Sequence, residues 1–208
     1  MLSVSQLERR VPIRSRVGRF ASGCGAMSGK HSCTLESKDW KRKLPHKIII
    51  GRQEPETIEH VALKLVSYLF FHRDRLQIGM NLHNDSIPFI PDLIQLDYEL
   101  RPVLWVQCGE CTVNKLNKLA VKVPEAEIWI VQPSIDAAND LLRAMAKAEL
   151  RRKRYHLLAL DREMFAEMTS LVRSRNDLLW VSAAMDPPKM HFDFNGMWFE
   201  MPFETLVF

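Results

Sequence analysis

Apolar residues recur with helical spacing between residues 55 and 73 of this chain. Their positions follow the i, i+3, i+4, i+7 pattern of an amphipathic helix. Pro55 stands near the predicted start, and Glu56 and Glu59 lie in the first turn, where acidic side chains favour the positive end of the helix dipole. The apolar stripe consists of Ile58, Val61, Ala62, Leu65, Val66, Leu69 and Phe70.

Strand-like and helix-like segments alternate along the rest of the chain after residue 27. The segments "HSCTLES" and "HKIII" predict two strands joined by the basic turn "KDWKRKLP". "DLIQLD" and "PVLWVQC" predict an antiparallel pair, "TVNKLNKLAVKV" a short helix and "AEIWIV" a buried strand. A long helix is predicted from about Ser134 to Arg152, with a basic last turn.

The C-terminal segments complete the predicted fold class. "HLLALD" and "DLLWVSA" predict strands on either side of a helix, "REMFAEMTSLVRS". Asn195-Gly196 lies between alternating strands and predicts a β-hairpin with a type I′ turn. The order predicts an α/β (or α+β) fold with a mixed sheet flanked by helices, in which parallel strands flank the unit from Pro102 to Val131.

The net charge of +4 comes from the first 26 residues. This head holds five arginines and a single acid, Glu8, so basic and acidic residues are equal in number over residues 27–208. The body therefore provides no global electrostatic attraction for nucleic acid. The Arg- and Ser-rich head resembles an organelle presequence in composition, but we interpret it as a disordered extension or an upstream start before Met27. Residues 27–208 are expected to form a single domain.

Four cysteines in 208 residues are too few for a disulfide framework and favour a reducing compartment. No run of 18 apolar residues predicts a membrane span.

Cys108-Gly-Glu-Cys111 follows a predicted strand and precedes a helix, where a helix N-terminus lowers a thiol pKa. A thiol redox function is therefore one hypothesis. Two small, half-buried thiols without redox function are the alternative, and no second CxxC or histidine pair completes a zinc site.

Oxygen-bearing side chains near the same strand suggest metal-dependent chemistry. Pro91-Asp92 opens one strand and Gln107 lies near the end of the next, while Glu59 lies in the first turn of the early helix. Lys115 and Lys118 follow on the short helix. Carboxylate and amide oxygens on neighbouring strands can hold Mg²⁺, which activates water and stabilises charge on a phosphate. A lysine can assist by neutralising the phosphate oxygens.

Each of these residues also has a structural interpretation. Asp92 can be a hydrogen-bond anchor and Gln107 a satisfied buried amide. Glu59 can stabilise the helix dipole, and the lysines can form a solvated helix face.

Several blocks of the sequence together resemble the YaeQ family. They are "GRQEPETIEHVALKLVSYLFF", "PDL" at 91–93, "LWVQCGE" at 104–110, "KLNKLA" at 115–120 and the C-terminal hairpin. The resemblance spans about Lys30 to Phe208. It implies a bacterial cytoplasmic protein with a fold like that of PD-(D/E)xK restriction endonucleases, and no assigned biochemical function.

The resemblance also implies which residues belong to a site. It marks Arg52, Glu56, Glu59, Asp92, Gln107, Gly109 and Glu110, with Glu59, Asp92, Gln107 and Glu110 as the expected Mg²⁺ ligands. Asp92, Gln107, Lys115 and Lys118 are the expected catalytic residues. Gln107 replaces a strand glutamate of the family, and Glu110 replaces a glutamine. Because an amide lacks the full charge of a carboxylate, the Gln107 change weakens Mg²⁺ binding.

Two functions therefore follow from the resemblance. One is a degenerate metal-dependent nuclease that acts on nucleic acid. The other is a non-catalytic module of the same fold that binds nucleic acid or protein. The sequence alone leaves open whether the chain is an enzyme and what its oligomeric state is.

Overall fold

The computed structural model describes residues 27–53, 55–82 and 87–208. The predicted basic head therefore lies outside the described residues. The strands are β1 (Met27–Ser37), β2 (Lys47–Gln53), β3 (Leu76–Ile78), β4 (Leu93–Leu96), β5 (Pro102–Cys108), β6 (Glu127–Gln132), β7 (Tyr155–Leu160), β8 (Arg175–Met185), β9 (Pro188–Phe194) and β10 (Met197–Val207). The helices are α1 (Ile58–Phe71), α2 (Val113–Lys122), α3 (Ile135–Lys147) and α4 (Arg162–Ser170).

All ten of these strands belong to one mixed sheet, so the predicted fold class is confirmed. The strand order is β2-β1-β8-β9-β10-β7-β6-β5-β4-β3. β5, β6 and β7 run parallel, and β1 runs parallel to β8, whereas the other neighbouring pairs are antiparallel. The predicted strand pair β1–β2, the predicted antiparallel pair β4–β5 and the predicted parallel pair β5–β6 are confirmed, as is the C-terminal hairpin with Asn195 and Gly196 between its strands.

Two apolar cores cover the two faces of the sheet. One packs α1 and α4 against side chains such as Val106 and Cys108, and the other packs α2 and α3 against side chains such as Trp105 and Ile130. Because successive strand residues point to opposite faces, β5 supplies both cores. None of the helices in the described ranges is long and apolar enough to cross a membrane.

The predicted long helix ends earlier than its sequence pattern indicates. α3 stops at Lys147, and Glu149 has a positive φ of 53° that no helix continues through. The basic residues beyond it form a turn that leads into β7, so the prediction that they make the last helical turn is wrong. Arg154 holds this turn because its guanidinium donates to the carbonyls of Val123 and Ala126, both at 2.6 Å. These tertiary contacts offset the local helix propensity of the segment.

Candidate functional site

Asp92 lies immediately before β4, at the edge where β3, β4 and β5 meet. Its backbone N–H donates to the Val106 carbonyl at 3.1 Å, and its carbonyl accepts from the Gly79 N–H at 2.8 Å. The residue is only 5% exposed. The backbone pairing therefore fixes a buried carboxylate at the end of the strands, where it needs partners to offset its desolvation.

Three short hydrogen bonds converge on this carboxylate. Oδ2 accepts from Gln107 Nε2 at 2.6 Å and from the Cys108 N–H at 2.7 Å. Oδ1 is 2.7 Å from His60 Nε2, and Lys64 Nζ lies 3.5 Å from the same oxygen. Because a carboxylate only accepts, Nε2 of His60 carries the hydrogen in this contact. Asp92 thus joins α1 to two strands through its side chain.

Two further partners, His60 and Lys64, lie on one face of α1, whereas Glu56 precedes the cap residue Thr57, so the prediction that Glu56 lies in the first helical turn is wrong. Glu56, His60 and Lys64 follow each other at intervals of four residues, which brings their side chains together. Lys64 Nζ donates to Glu56 Oε1 at 2.6 Å, and His60 Nε2 is 3.7 Å from the same oxygen. Thr57 caps the helix because its side chain accepts from the His60 N–H. Lys64 is only 5% exposed, and its ammonium is neutralised by the half-buried Glu56 and the buried Asp92 beside it.

Gln107 connects the carboxylate to a second lysine. Its Oε1 accepts from Lys115 Nζ at 2.7 Å, while its Nε2 donates to Asp92. Lys115 reaches it from the first turn of α2, which is capped by Thr112. The two contacts fix the orientation of the amide, because exchanging its O and N would place two acceptors together and two donors together. Gln107 is therefore a buried, satisfied amide.

The surroundings of Asp92 favour its ionised form. Burial by itself raises the pKa of this carboxyl group, but the hydrogen bond and charge of His60, the Cys108 N–H and the Lys64 ammonium outweigh it. The net result is a pKa below the usual value. Asp92 is consequently an anion at neutral pH and serves as the centre of a hydrogen-bonded network, which we call the Asp92 network: Glu56, His60, Lys64, Asp92, Gln107 and Lys115.

The four predicted Mg²⁺ ligands do not share one coordination sphere in this structure. Within the described ranges, the His, Cys, Asp and Glu side chains that bring three ligand atoms within 4.8 Å of one another are Glu56, His60 and Asp92. Glu59 and Glu110 are exposed and stand outside this group. Gln107 turns its amide hydrogens, rather than its oxygen, toward Asp92. A set of groups that includes the His60 nitrogen and the Gln107 amide hydrogens does not fit Mg²⁺, which prefers oxygen ligands.

Two cavities meet at His60 and Glu56. The first, of about 370 Å³, is lined by residues of the Asp92 network, including Lys64, Asp92 and Gln107. The second, of about 440 Å³, is lined by Glu59, Gly109 and Glu110. Gly109 has a φ of 67°, and a side chain there would approach Leu63 to 3.4 Å. The backbone conformation therefore favours glycine here, whereas the contact with Leu63 would be an ordinary van der Waals contact.

Two further predicted site residues lie on other elements. Lys118 is exposed on α2, and Arg52 is in β2 opposite Gly29. The sequence patterns assigned no role to Lys64 or His60. Their signal was the four-residue spacing from Glu56, which the apolar stripe of α1 obscured.

The cysteines of the CxxC do not have the low pKa that redox chemistry requires. Burial, followed by the charge of Asp92, raises the pKa of Cys108 well above its usual value. Burial also raises the pKa of Cys111 to about 11. Cys108 faces the core that contains α1, opposite to Gln107, and its Sγ is 3.3 Å from Ser67 Oγ. The geometry favours structural thiols over a redox pair.

Comparison with known proteins assigns the family. The family model described as YaeQ protein matches residues 28–182. The chain belongs to the YaeQ family. The crystal structure of YaeQ protein from Xanthomonas axonopodis pv. citri is 20% identical, with a TM-score of 0.63, over 86% of this chain and 96% of that one. The structure of YaeQ protein from Pseudomonas syringae is 15% identical, with a TM-score of 0.65, over 86% of this chain and 94% of that one. These structures show that the YaeQ fold is shared, and no curated protein matches the chain.

Proposed function

We propose that this YaeQ protein has a PD-(D/E)xK nuclease-like fold and binds nucleic acid without cleaving it at Asp92. The orientation of Gln107 carries the proposal. In a metal-dependent nuclease of this type, two oxygen ligands from neighbouring strands face one cation. Here the Gln107 amide nitrogen donates to Asp92 at 2.6 Å, and its oxygen accepts from Lys115 at 2.7 Å. Asp92 and Gln107 therefore provide one oxygen ligand for a cation, the Asp92 carboxylate, whereas metal-dependent cleavage of this type uses two.

Lys64 further supports the absence of metal-dependent cleavage. Its ammonium is 2.6 Å from Glu56 and 3.5 Å from Asp92, where it neutralises both carboxylates. A divalent cation at these carboxylates must displace a buried ammonium group. Leaving that charge without a partner in the interior is costly. The network is thus electrostatically satisfied by the chain's own side chains.

The turn between β1 and β2 provides a surface suited to nucleic acid. Residues 38–46 hold four lysine or arginine residues and one acid, Asp39. Trp40 is 80% exposed, with Lys41 Nζ 5.3 Å from its ring centroid. An exposed aromatic ring among lysines can stack on an unpaired base while the ammonium groups contact phosphates. This arrangement favours a single strand over a duplex.

The turn is anchored to the body of the protein. The Arg42 guanidinium donates to the carbonyls of Leu69 and Phe70 at the end of α1 and lies 4.8 Å from the ring centroid of Trp180. Lys43 accepts from His72 through its carbonyl at 3.0 Å. Leu69 follows Lys64 by five residues and His60 by nine, so the anchor lies about 8 and 14 Å from these two members of the network along the helix. Binding at the turn therefore does not require the network.

Electrophoretic mobility shift with labelled single-stranded DNA and RNA tests the binding. Trp40→Ala is expected to weaken binding by roughly tenfold, the range for loss of one stacked base. Trp198→Ala is the matched control, since Trp198 is 51% exposed but lies opposite Asp193 in the hairpin. Lys41→Ala should reduce the slope of log affinity against log salt concentration by about one, the amount expected for one lost phosphate contact. Equal affinities for the wild type and both tryptophan variants would argue against the turn, and no binding at low salt would refute the nucleic-acid partner.

Incubation of DNA and RNA with Mg²⁺ or Mn²⁺ tests the absence of cleavage. We expect no metal-dependent hydrolysis by the wild type and no metal-binding heat below millimolar concentration. Hydrolysis that disappears in Asp92→Ala would overturn the proposal and restore the nuclease hypothesis. Asp97→Ala controls for effects of preparation, because Asp97 lies in the β4–β5 turn and outside the network.

A further inference from the structure

The larger cavity beside His60 is an acidic pocket separate from the nucleic-acid surface proposed above. It lies between the start of α1, the end of β5 and the start of α3, with a volume of about 440 Å³. Glu59 and Glu110 line it, are both exposed and form no ion pair with any described residue. None of the described residues that line it is a lysine or an arginine. We call it the acceptor pocket, defined by Glu59, His60, Glu110 and Gln132.

Gln132 supplies a neutral acceptor to this pocket from a buried position. It is only 5% exposed, and its Nε2 donates to the Gly109 carbonyl at 2.9 Å. That bond assigns the amide nitrogen, because the opposite orientation would set two oxygens against each other. Oε1 is then left without a hydrogen-bond partner in the part of the chain that the structure describes. A buried side chain with an unused acceptor at a cavity wall indicates a site for a hydrogen-bond donor.

His60 contributes a further acceptor. Its Nε2 carries the hydrogen that Asp92 accepts, so Nδ1 bears a lone pair whenever the ring is in its uncharged form. Nδ1 is the ring atom that faces Gly109, at 3.8 Å from the position of a Cβ there. Asp92 thus orients the ring for the neighbouring pocket. All four defining side chains of the pocket offer acceptors.

The spacing of the acceptors argues against a single metal ion. Glu59, His60 and Glu110 do not bring their ligand atoms within 4.8 Å of one another. The volume lies in the range of small-molecule sites and greatly exceeds that of an ion. A ligand that satisfies separated acceptors must carry several N–H donors and a positive charge.

We infer that the acceptor pocket binds an organic cation of the guanidinium class. A guanidinium group has five N–H donors in a planar fork that matches carboxylate oxygens. Glu59 and Glu110 supply the charge, while Gln132 Oε1 and His60 Nδ1 fix the orientation. The guanidinium can belong to a free small molecule or to an arginine side chain of a peptide, which offer the same chemistry.

Isothermal titration of the full chain with agmatine tests the inference. Glu59→Gln and Glu110→Gln should each weaken binding about five- to tenfold, because each removes one charge-assisted hydrogen bond. Glu167→Gln is the matched control, since Glu167 is an exposed acid on α4 that does not line the pocket. Gln132→Met should weaken binding as well, with folding checked by circular dichroism. If Gln132→Met does not fold, Glu59→Gln and Glu110→Gln still test the inference.

Two further titrations separate the possible ligands. A blocked Gly-Arg-Gly peptide that binds more tightly than agmatine would identify a peptide arginine as the source, and weaker binding would identify a free small molecule. No heat with either probe at millimolar concentration would overturn the inference. Binding of Mn²⁺ alone that Glu59→Gln weakens, without agmatine binding, would also overturn it and make the pocket a metal site. Trp40 lies outside this pocket, so the inference can fail independently of nucleic-acid binding.

Discussion

Replacement of Asp92 by alanine should destabilise the fold through loss of a buried acceptor. The substitution leaves Gln107 Nε2 and the Cys108 N–H without their 2.6 and 2.7 Å partner. Gln107 is 6% exposed and Cys108 is fully buried, so water does not replace the carboxylate freely. His60 and Lys64 lose the same anion.

The magnitude follows from these lost contacts. Each buried donor left unsatisfied costs about 1–3 kcal/mol, and breaking one partner of a buried ion pair costs about 3–5 kcal/mol. These terms overlap, and the desolvation of Asp92 itself opposes them. We therefore expect Asp92→Ala to lower the free energy of unfolding by about 3 kcal/mol. This is a large fraction of the roughly 5–15 kcal/mol that stabilises an ordinary domain.

Urea unfolding followed by circular dichroism and tryptophan fluorescence measures this loss. Trp105 and Trp180 are fully buried and report on the two cores. Asp97→Ala is the matched control, because Asp97 also accepts three hydrogen bonds, from the Glu99 and Arg101 N–H groups and from Arg101 Nε, but on the surface. It should lose less stability than Asp92→Ala. If the two variants lose equal stability, burial of the Asp92 network does not determine its contribution and the reasoning is refuted.

Three further predictions follow from the same network. Gln107→Glu should gain affinity for Mn²⁺ in calorimetry, because it supplies the missing carboxylate, and an unchanged weak affinity would argue against the role assigned to Gln107. The Asp92 contribution to stability should be full above the unfolded carboxyl pKa of about 3.9 and should disappear as the pH falls through the lower folded pKa. Acid titration of unfolding should therefore show a smaller loss of stability for Asp92→Asn than for the wild type. Native Cys108 should resist iodoacetamide at neutral pH, since burial raises its thiol pKa, and rapid alkylation measured by mass spectrometry would contradict this.

Local sequence patterns were sufficient to predict elements that are stabilised mainly by contacts within the element or by burial of one face. The stripe of α1 fixes a buried helix face, and Asn195-Gly196 favours a hairpin because both positions accept positive φ, at 54° and 84°. The unit from β5 through α2 to β6 follows from a strand, a helix and a second strand of suitable length. The predicted end of α3 was wrong because Arg154 contacts carbonyls that are distant in the sequence, those of Val123 and Ala126.

The sequence also marked Asp92, Gln107 and Lys115 as side chains of one site, and the structure brings these three together. Their chemistry could not be predicted, because it depends on which atom of the Gln107 amide faces Asp92. That orientation follows from Lys115 on one side and the carboxylate on the other. Glu59 and Glu110 instead line a different cavity.

The sequence by itself determined the family, the element types and the acid that opens β4. The tertiary structure alone decided that His60 and Lys64 of α1 become partners of that acid, and that Cys108 is buried rather than reactive. The physical reason is that a buried charge is stabilised only by groups within a few ångströms. The sheet order and the packing of α1 determine those neighbours, and neither is written in a local pattern.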